Sequence, residues 1–152
     1  MLQKIRSWQI LALAFICMSL TPLHQHKDMW NVLAMVKFNS RFDPATLLET
    51  QIPEVSPAVE KWNGEQISIE GYIIPLTGQT QQSHFMLSRY PQSTCFFCGK
   101  AGPETAMQVF MKNQKKVKIS ERKVKVKGIL YVNPKDINSL LYTLDEAEIL
   151  ED

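Results

Sequence analysis

A mainly β domain, a small five-stranded OB-like barrel preceded by short helices, is the fold class this sequence predicts. Three observations carry that expectation. Apolar and polar residues alternate in several short runs, which is the period of half-buried strands. The longest run, Gln66 to Leu76, contains Gly71, and its apolar phase changes there because Ile73 and Ile74 are adjacent. A glycine with a phase change inside a strand marks a bulge or a sharp bend, which a barrel uses to turn one strand between two sheet faces. From residue 66 onward the order reads strand, strand, cysteine-bearing loop, strand, strand, short helix, strand. That order suits a barrel of the OB type. An open antiparallel α+β sheet with helices on one face is the alternative.

The chain divides into three stretches: 1–23, 24–65 and 66–152. Lys4 and Arg6 precede an uncharged run from Ser7 to Leu23 whose apolar heart is Ile10 to Leu20. A basic start before an apolar run predicts a secretory signal peptide or an N-terminal membrane anchor, because the run is short for a spanning helix. Cys17 lies within that run after the bulky Phe15 and Ile16, so it reads as an apolar residue and not as a lipid-attachment site. His24 and His26 follow, two residues apart; such a pair can bind metal from an extended segment, and otherwise belongs to an exposed linker. Removing the leader leaves about 125 residues, the size of one domain. The full chain is 45% hydrophobic and 21% charged, which allows a packed core.

Residues 24–65 are expected to form a helical and extended segment packed on the barrel. Asp28 caps a short helix from Met29 to Ala34. Val36 and Phe38 alternate with Lys37 and Asn39 as a brief strand, and Asp43-Pro44 marks a turn. Ile52-Pro53 and Ser56-Pro57 bound a connector. Ser56 then caps a helix with Pro57 at its first position, ending near Asn63-Gly64, with Trp62 as its core anchor.

In the barrel stretch, Gly78 to Ser83 is a polar turn and His84 to Tyr90 the second strand. Ala106 to Lys112 is the third, with Met107, Val109 and Met111 on one face as core filling. Lysines and valines alternate strictly from Lys123 to Lys127, and Gly128 to Val132 continues this fourth strand. Between residues 112 and 127 stand eight basic residues against Glu121. That basic run fits an anionic ligand or membrane surface, or a solvated face guarded by lysine. Asn133-Pro134 ends the strand, Asp136 caps a helical turn through Leu141, and Tyr142 to Leu150 is the last strand.

The most chemically specific stretch is Thr94-Cys95-Phe96-Phe97-Cys98-Gly99-Lys100-Ala101-Gly102-Pro103-Glu104. C-x-x-C spacing turns two sulfurs toward one point, and Gly99 accepts the positive φ that a knuckle requires. The pair suits a zinc half-site or a short-loop disulfide. A zinc site needs more ligands, and His84 is the nearest candidate in sequence, with Glu104 after it. Gly99, Gly102 and Pro103 follow too closely for a helix to begin at Cys95, which weakens a thioredoxin-like reading.

Gly71-Tyr72-Ile73-Ile74-Pro75 together with Cys95 to Glu104 resembles a bacterial exported and lipoprotein-like family, domain of unknown function 3299, in a branch that carries the C-F-F-C-G-x-A-G-P-E segment. The resemblance covers roughly Trp30 to Leu150 and supplies no reaction. It implies export and a small β-rich domain, and it implies that the C-x-x-C segment matters.

The sequence has no G-x-S-x-G, P-loop or H-E-x-x-H signature. The net charge of +2 is too small to imply a polyanion partner. Phe85, Phe110 and Tyr131 could stack on nucleic-acid bases, but the export signal argues against such a partner and the aromatics suit a core. The function expected is that of a non-enzymatic accessory or binding protein in the cell envelope. Its ligand is a small molecule or a protein, and its membrane contact runs only through the N-terminal segment. Zinc binding through Cys95, Cys98 and His84 is the sharper version. A thiol–disulfide protein using Cys95 and Cys98, or a purely structural disulfide, is the alternative.

Overall fold

The computed structural model describes residues 28–44, 47–135 and 139–150. Ahead of the barrel come a helix α1 (Met29–Leu33), a hairpin of β1 (Val36–Asp43) and β2 (Leu48–Val55), and a helix α2 (Pro57–Glu60). The barrel strands are β3 (Gln66–Ile74), β5 (His84–Ser88), β6 (Ala106–Met111), β8 (Lys123–Val132) and β9 (Tyr142–Leu150). Two short strands, β4 (Gln81–Gln82) and β7 (Val117–Lys118), pair outside it.

The sheet closes in the order β3-β5-β6-β9-β8. Every barrel pairing is antiparallel except that of β6 with β9. Numbered by barrel strand alone the order is 1-2-3-5-4, an OB-like barrel, and closure excludes the open sheet. Alternation supplies the core: Ile67, Ile69, Phe85, Leu87, Met107, Val109, Val126, Leu130, Leu144 and Ala147 are all buried in one cluster.

No bulge falls at Gly71. The ladder of β3 with β8 runs unbroken from Gln66–Ile129 through Gly71–Val124 to Tyr72–Lys123. The buried positions keep their alternation through Gly71. Gly71 serves a close approach. A Cβ there would stand 2.7 Å from the Ser88 carbonyl oxygen and 2.9 Å from Leu87 Cγ. Just beyond it β3 leaves β8 and takes up β5. The register shifts lie opposite β9, between Lys127 and Ile129 on one side and Val109 and Met111 on the other. In β9 itself Glu146 adopts a left-handed φ of 50°, and its N–H is held by Asp145 Oδ1 at 2.9 Å. Gly128 leaves the room: a Cβ there would stand 2.8 Å from the Asp145 carbonyl oxygen. Adjacent Ile73 and Ile74, both buried, mark the end of a strand covered on both faces and not a bulge.

α1 forms as the sequence implies, with the Asp28 carboxylate accepting from the Trp30 N–H at 3.1 Å. Met29, Trp30, Val32 and Leu33 are buried. Trp30 Nε1 donates to the Glu70 carbonyl at 2.6 Å, and the Tyr142 hydroxyl donates to the Leu33 carbonyl at 2.7 Å. That second bond satisfies a carbonyl orphaned at the helix end and ties the first helix to the last strand.

Two expectations ahead of the barrel are corrected. Residues 52–55, expected within a connector, belong to β2, the second strand of a hairpin. Proline is compatible with a strand when its nitrogen faces an open edge, and Pro53 pairs with Phe38 in this way. Ser56 precedes Pro57 in extended backbone, but its side chain makes no cap hydrogen bond and its Oγ is buried without a partner. Trp62 packs half-buried against the cluster as expected, with Lys61 over its ring. Of the three aromatics expected in a core, only Phe85 is fully buried; Phe110 and Tyr131 are exposed. Their strands alternate faces, and both residues fall on the outer one. Asp136, the leader, His24 and His26 lie outside the described residues.

Candidate functional site

The cysteine loop joins β5 to β6 and is pinned at both ends. The Arg89 N–H donates to the Thr105 carbonyl at 2.9 Å, and the Tyr90 N–H donates to Ser88 Oγ at 3.1 Å. At its far end the Thr105 hydroxyl donates to the Gly102 carbonyl at 2.6 Å. Between these anchors the chain makes three short 3₁₀ turns, Gln92–Thr94, Phe96–Cys98 and Pro103–Thr105. No α-helix begins at Cys95, as the glycines and proline imply.

Cys95 and Cys98 sit at the two ends of the middle turn, whose Cys98 N–H donates to the Cys95 carbonyl at 3.1 Å. Gly99 closes it with φ 69°, the conformation expected of a knuckle glycine. The two thiols are unlike. Cys95 is 1% exposed, whereas Cys98 is exposed. The Cys98 thiol donates to the Gln92 carbonyl at 2.8 Å and lies beside the Cys95 sulfur. Its titration is raised above the ordinary 9.0, through lost solvation first and then its hydrogen bond and charge interaction with Cys95, with Lys100 pulling the other way. Both thiols are free. Phe96 and Phe97 pack edge to face at 5.2 Å, and Phe97 points outward.

The other candidate ligands stand elsewhere. His84 opens β5, four residues before the strand ends, so about 13 Å of strand separates it from the start of the loop. Its ring stacks on Phe110 at 4.2 Å, and its Nε2 is buried without a partner. Glu104 is half-buried with its carboxylate folded over Gly102, on the side of the loop facing Tyr142. Among the described residues no three His, Cys, Asp or Glu side chains converge on a metal-sized point.

Sequence reasoning missed the cleft beside Cys98. It is an open groove of about 700 Å³ between three segments that are distant in the chain. The end of β3 supplies Tyr72 and Ile74, the cysteine loop Pro91 and Cys98, and the link before β8 Ile119 and Glu121. Lys123 lies over the Tyr72 ring at 5.6 Å. The turn after Pro75 is held by the buried Gln82, whose amide donates to the Thr77 and Gln79 carbonyls and accepts from the Leu76 N–H. The doubled apolar pair at Ile73 and Ile74 was the one local sign of this surface.

The basic run resolves into a wet face with acidic neighbours. Lys125 stands across from Glu70, Lys127 across from Glu148, and Lys112 meets Glu148 at 3.1 Å. Opposite charges so placed support a solvated sheet face.

The family comparison covers nearly all of these elements: the family described as Protein of unknown function (DUF3299) matches residues 19–151. The chain belongs to that family. No curated protein matches. Among solved structures, this DUF3299 chain is similar to the crystal structure of a DUF3299 family protein from Pseudomonas aeruginosa PAO1. The two share 17% sequence identity with a TM-score of 0.46, over 66% of this chain and 68% of that one.

Proposed function

We propose that this DUF3299 protein is an exported accessory module that binds a small ligand, or a segment of a partner protein, in the cleft walled by Cys98. The observation that carries this reading is the cleft itself: about 700 Å³, apolar at Tyr72, Ile74 and Ile119, with the Cys98 thiol among its lining groups. Ligand sites are concave and mostly apolar with a few placed polar groups. The basic start and apolar run before residue 24 support export.

Two finer versions concern the thiols. The spacing of Cys95 and Cys98 supports a thiol–disulfide role, because one sulfur is exposed and its neighbour is buried beside it. Zinc would take both as thiolates, against the raised Cys98 titration, and would need ligands from outside the described residues.

The cleft is tested by photo-crosslinking. A photoreactive residue replaces Ser93 in the cleft, and in a control replaces Gln66 at the opposite end of β3. Adducts formed in intact cells from position 93 and not from 66 are the expected result; equal labelling would count against the cleft. Zinc content and thiol titration of the same reduced protein separate the finer versions. Bound zinc that is lost on acidification supports the metal, and a reversible loss of two titratable thiols supports the redox pair.

A further inference from the structure

The hairpin β1–β2 has two outer edges of different chemistry. Pro53 of β2 stands opposite Phe38. Having no N–H, proline fits a ladder only where its nitrogen faces away from the partner strand. Pro53 therefore faces the outer edge of β2, and its ring and missing donor blunt that edge against further pairing. Alternation then fixes the other edge. The pairs Lys37–Glu54 and Asn39–Ile52 exchange the hairpin's own hydrogen bonds, while the N–H and C=O groups of Phe38, Ser40 and Phe42 point outward from β1. Among the described residues no strand pairs with that edge.

We infer that β1 pairs with β1 of a second copy of this chain, antiparallel, with the two-fold axis at Ser40. The register is self-complementary. Ser40 meets its own copy, and Phe38 meets Phe42 of the second copy on both sides of the axis. Asn39 stands opposite Arg41, and Lys37 opposite position 43, so no two like charges face each other. The outward N–H and C=O groups of Phe38, Ser40 and Phe42 are the ones this register joins. Phe42 is 56% exposed in the single chain, and the pairing lays it beside Phe38, which already leans on the core. A two-stranded ribbon is marginal by itself; pairing makes it a four-stranded sheet, β2-β1-β1-β2. Both ends of that sheet are edges blunted by Pro53. Association therefore stops at two copies, as an isologous interface should.

The test uses the full chain in a non-ionic detergent that keeps its apolar leader dispersed, with mass measured by sedimentation and light scattering. Ser40→Pro removes an outward N–H at the axis without touching a hairpin bond. Gln51→Pro makes the matching change on the outer edge of β2, since Gln51 is paired with Ser40. The expected result is a dimer for the parent and for Gln51→Pro, and a monomer for Ser40→Pro. Phe42→Glu, which leaves the backbone unchanged, should weaken the dimer at least about tenfold by losing two aromatic pairs. A monomeric parent at every concentration would overturn the proposal. So would association that survives Ser40→Pro, or that is untouched by Phe42→Glu, since it would then run through the leader or another surface.

Discussion

The barrel and the β1–β2 hairpin are built from the same material, alternating antiparallel strands, yet they bury very different amounts. In the barrel every strand has a partner on both sides, and alternate side chains meet across a closed interior. In the hairpin each strand has one partner, and among the described residues only Val36, Phe38 and Val55, at its base, reach the core cluster. At its tip Leu47 is 75% exposed. Alternation thus supplies a face, and closure or a neighbour decides whether the face is buried.

That contrast is sharpest for one large side chain in each region. Phe85→Ala empties a fully enclosed position, and a loss of about 3–5 kcal/mol is expected in denaturant unfolding. A loss below 1 kcal/mol would mean that the barrel interior is not close-packed. Gly71→Val comes next, because its Cβ would meet the Ser88 carbonyl oxygen at 2.7 Å, where backbone cannot give way cheaply. The expected loss is about 1–3 kcal/mol. Unchanged thermal stability would show that β3 and β5 are not held that close.

The link between the barrel and α1 is tested through Tyr142. Burial first, and the Glu104 charge second, raise its phenol far above the ordinary 10.0. A raised value makes the neutral phenol a source of stability that is complete below pH 10 and lost as pH climbs above it. Tyr142→Phe leaves the Leu33 carbonyl without its donor and should lose about 1–3 kcal/mol at neutral pH. It should also flatten the alkaline fall in stability; an identical fall in both proteins would mean that another group causes it. The smallest effect belongs to the hairpin tip. Leu47→Ala should change stability by no more than about 0.5 kcal/mol, and a larger loss in chemical unfolding would reveal a contact that the tip makes.

Local pattern sufficed for the strands of the barrel, for the cap of α1 and for the proline that opens α2, because those depend on residues within one turn or one alternation. Asp28 ahead of Met29 caps α1, Pro57 opens α2, and Gly99 takes the left-handed turn after Cys98. It did not suffice where the deciding neighbour lies far along the chain. Gly71 reads as a bulge or bend, and what demands a glycine there is the nearby Ser88 carbonyl, while the register irregularity in β9 falls on Glu146, which has no glycine to announce it. Pro53 reads as a break, yet an open edge leaves its nitrogen free and a strand forms.

The candidate site divides along the same line. C-x-x-C spacing in the sequence was enough to bring the two sulfurs together, since a single turn spans the pair. Which thiol is buried, how far His84 stands from them, and the cleft between Tyr72, Cys98 and Ile119 were decided by the tertiary structure alone. The physical reason is that exposure and concavity are properties of surfaces joined across a closed sheet, and no local run of residues encodes which segments that closure brings together.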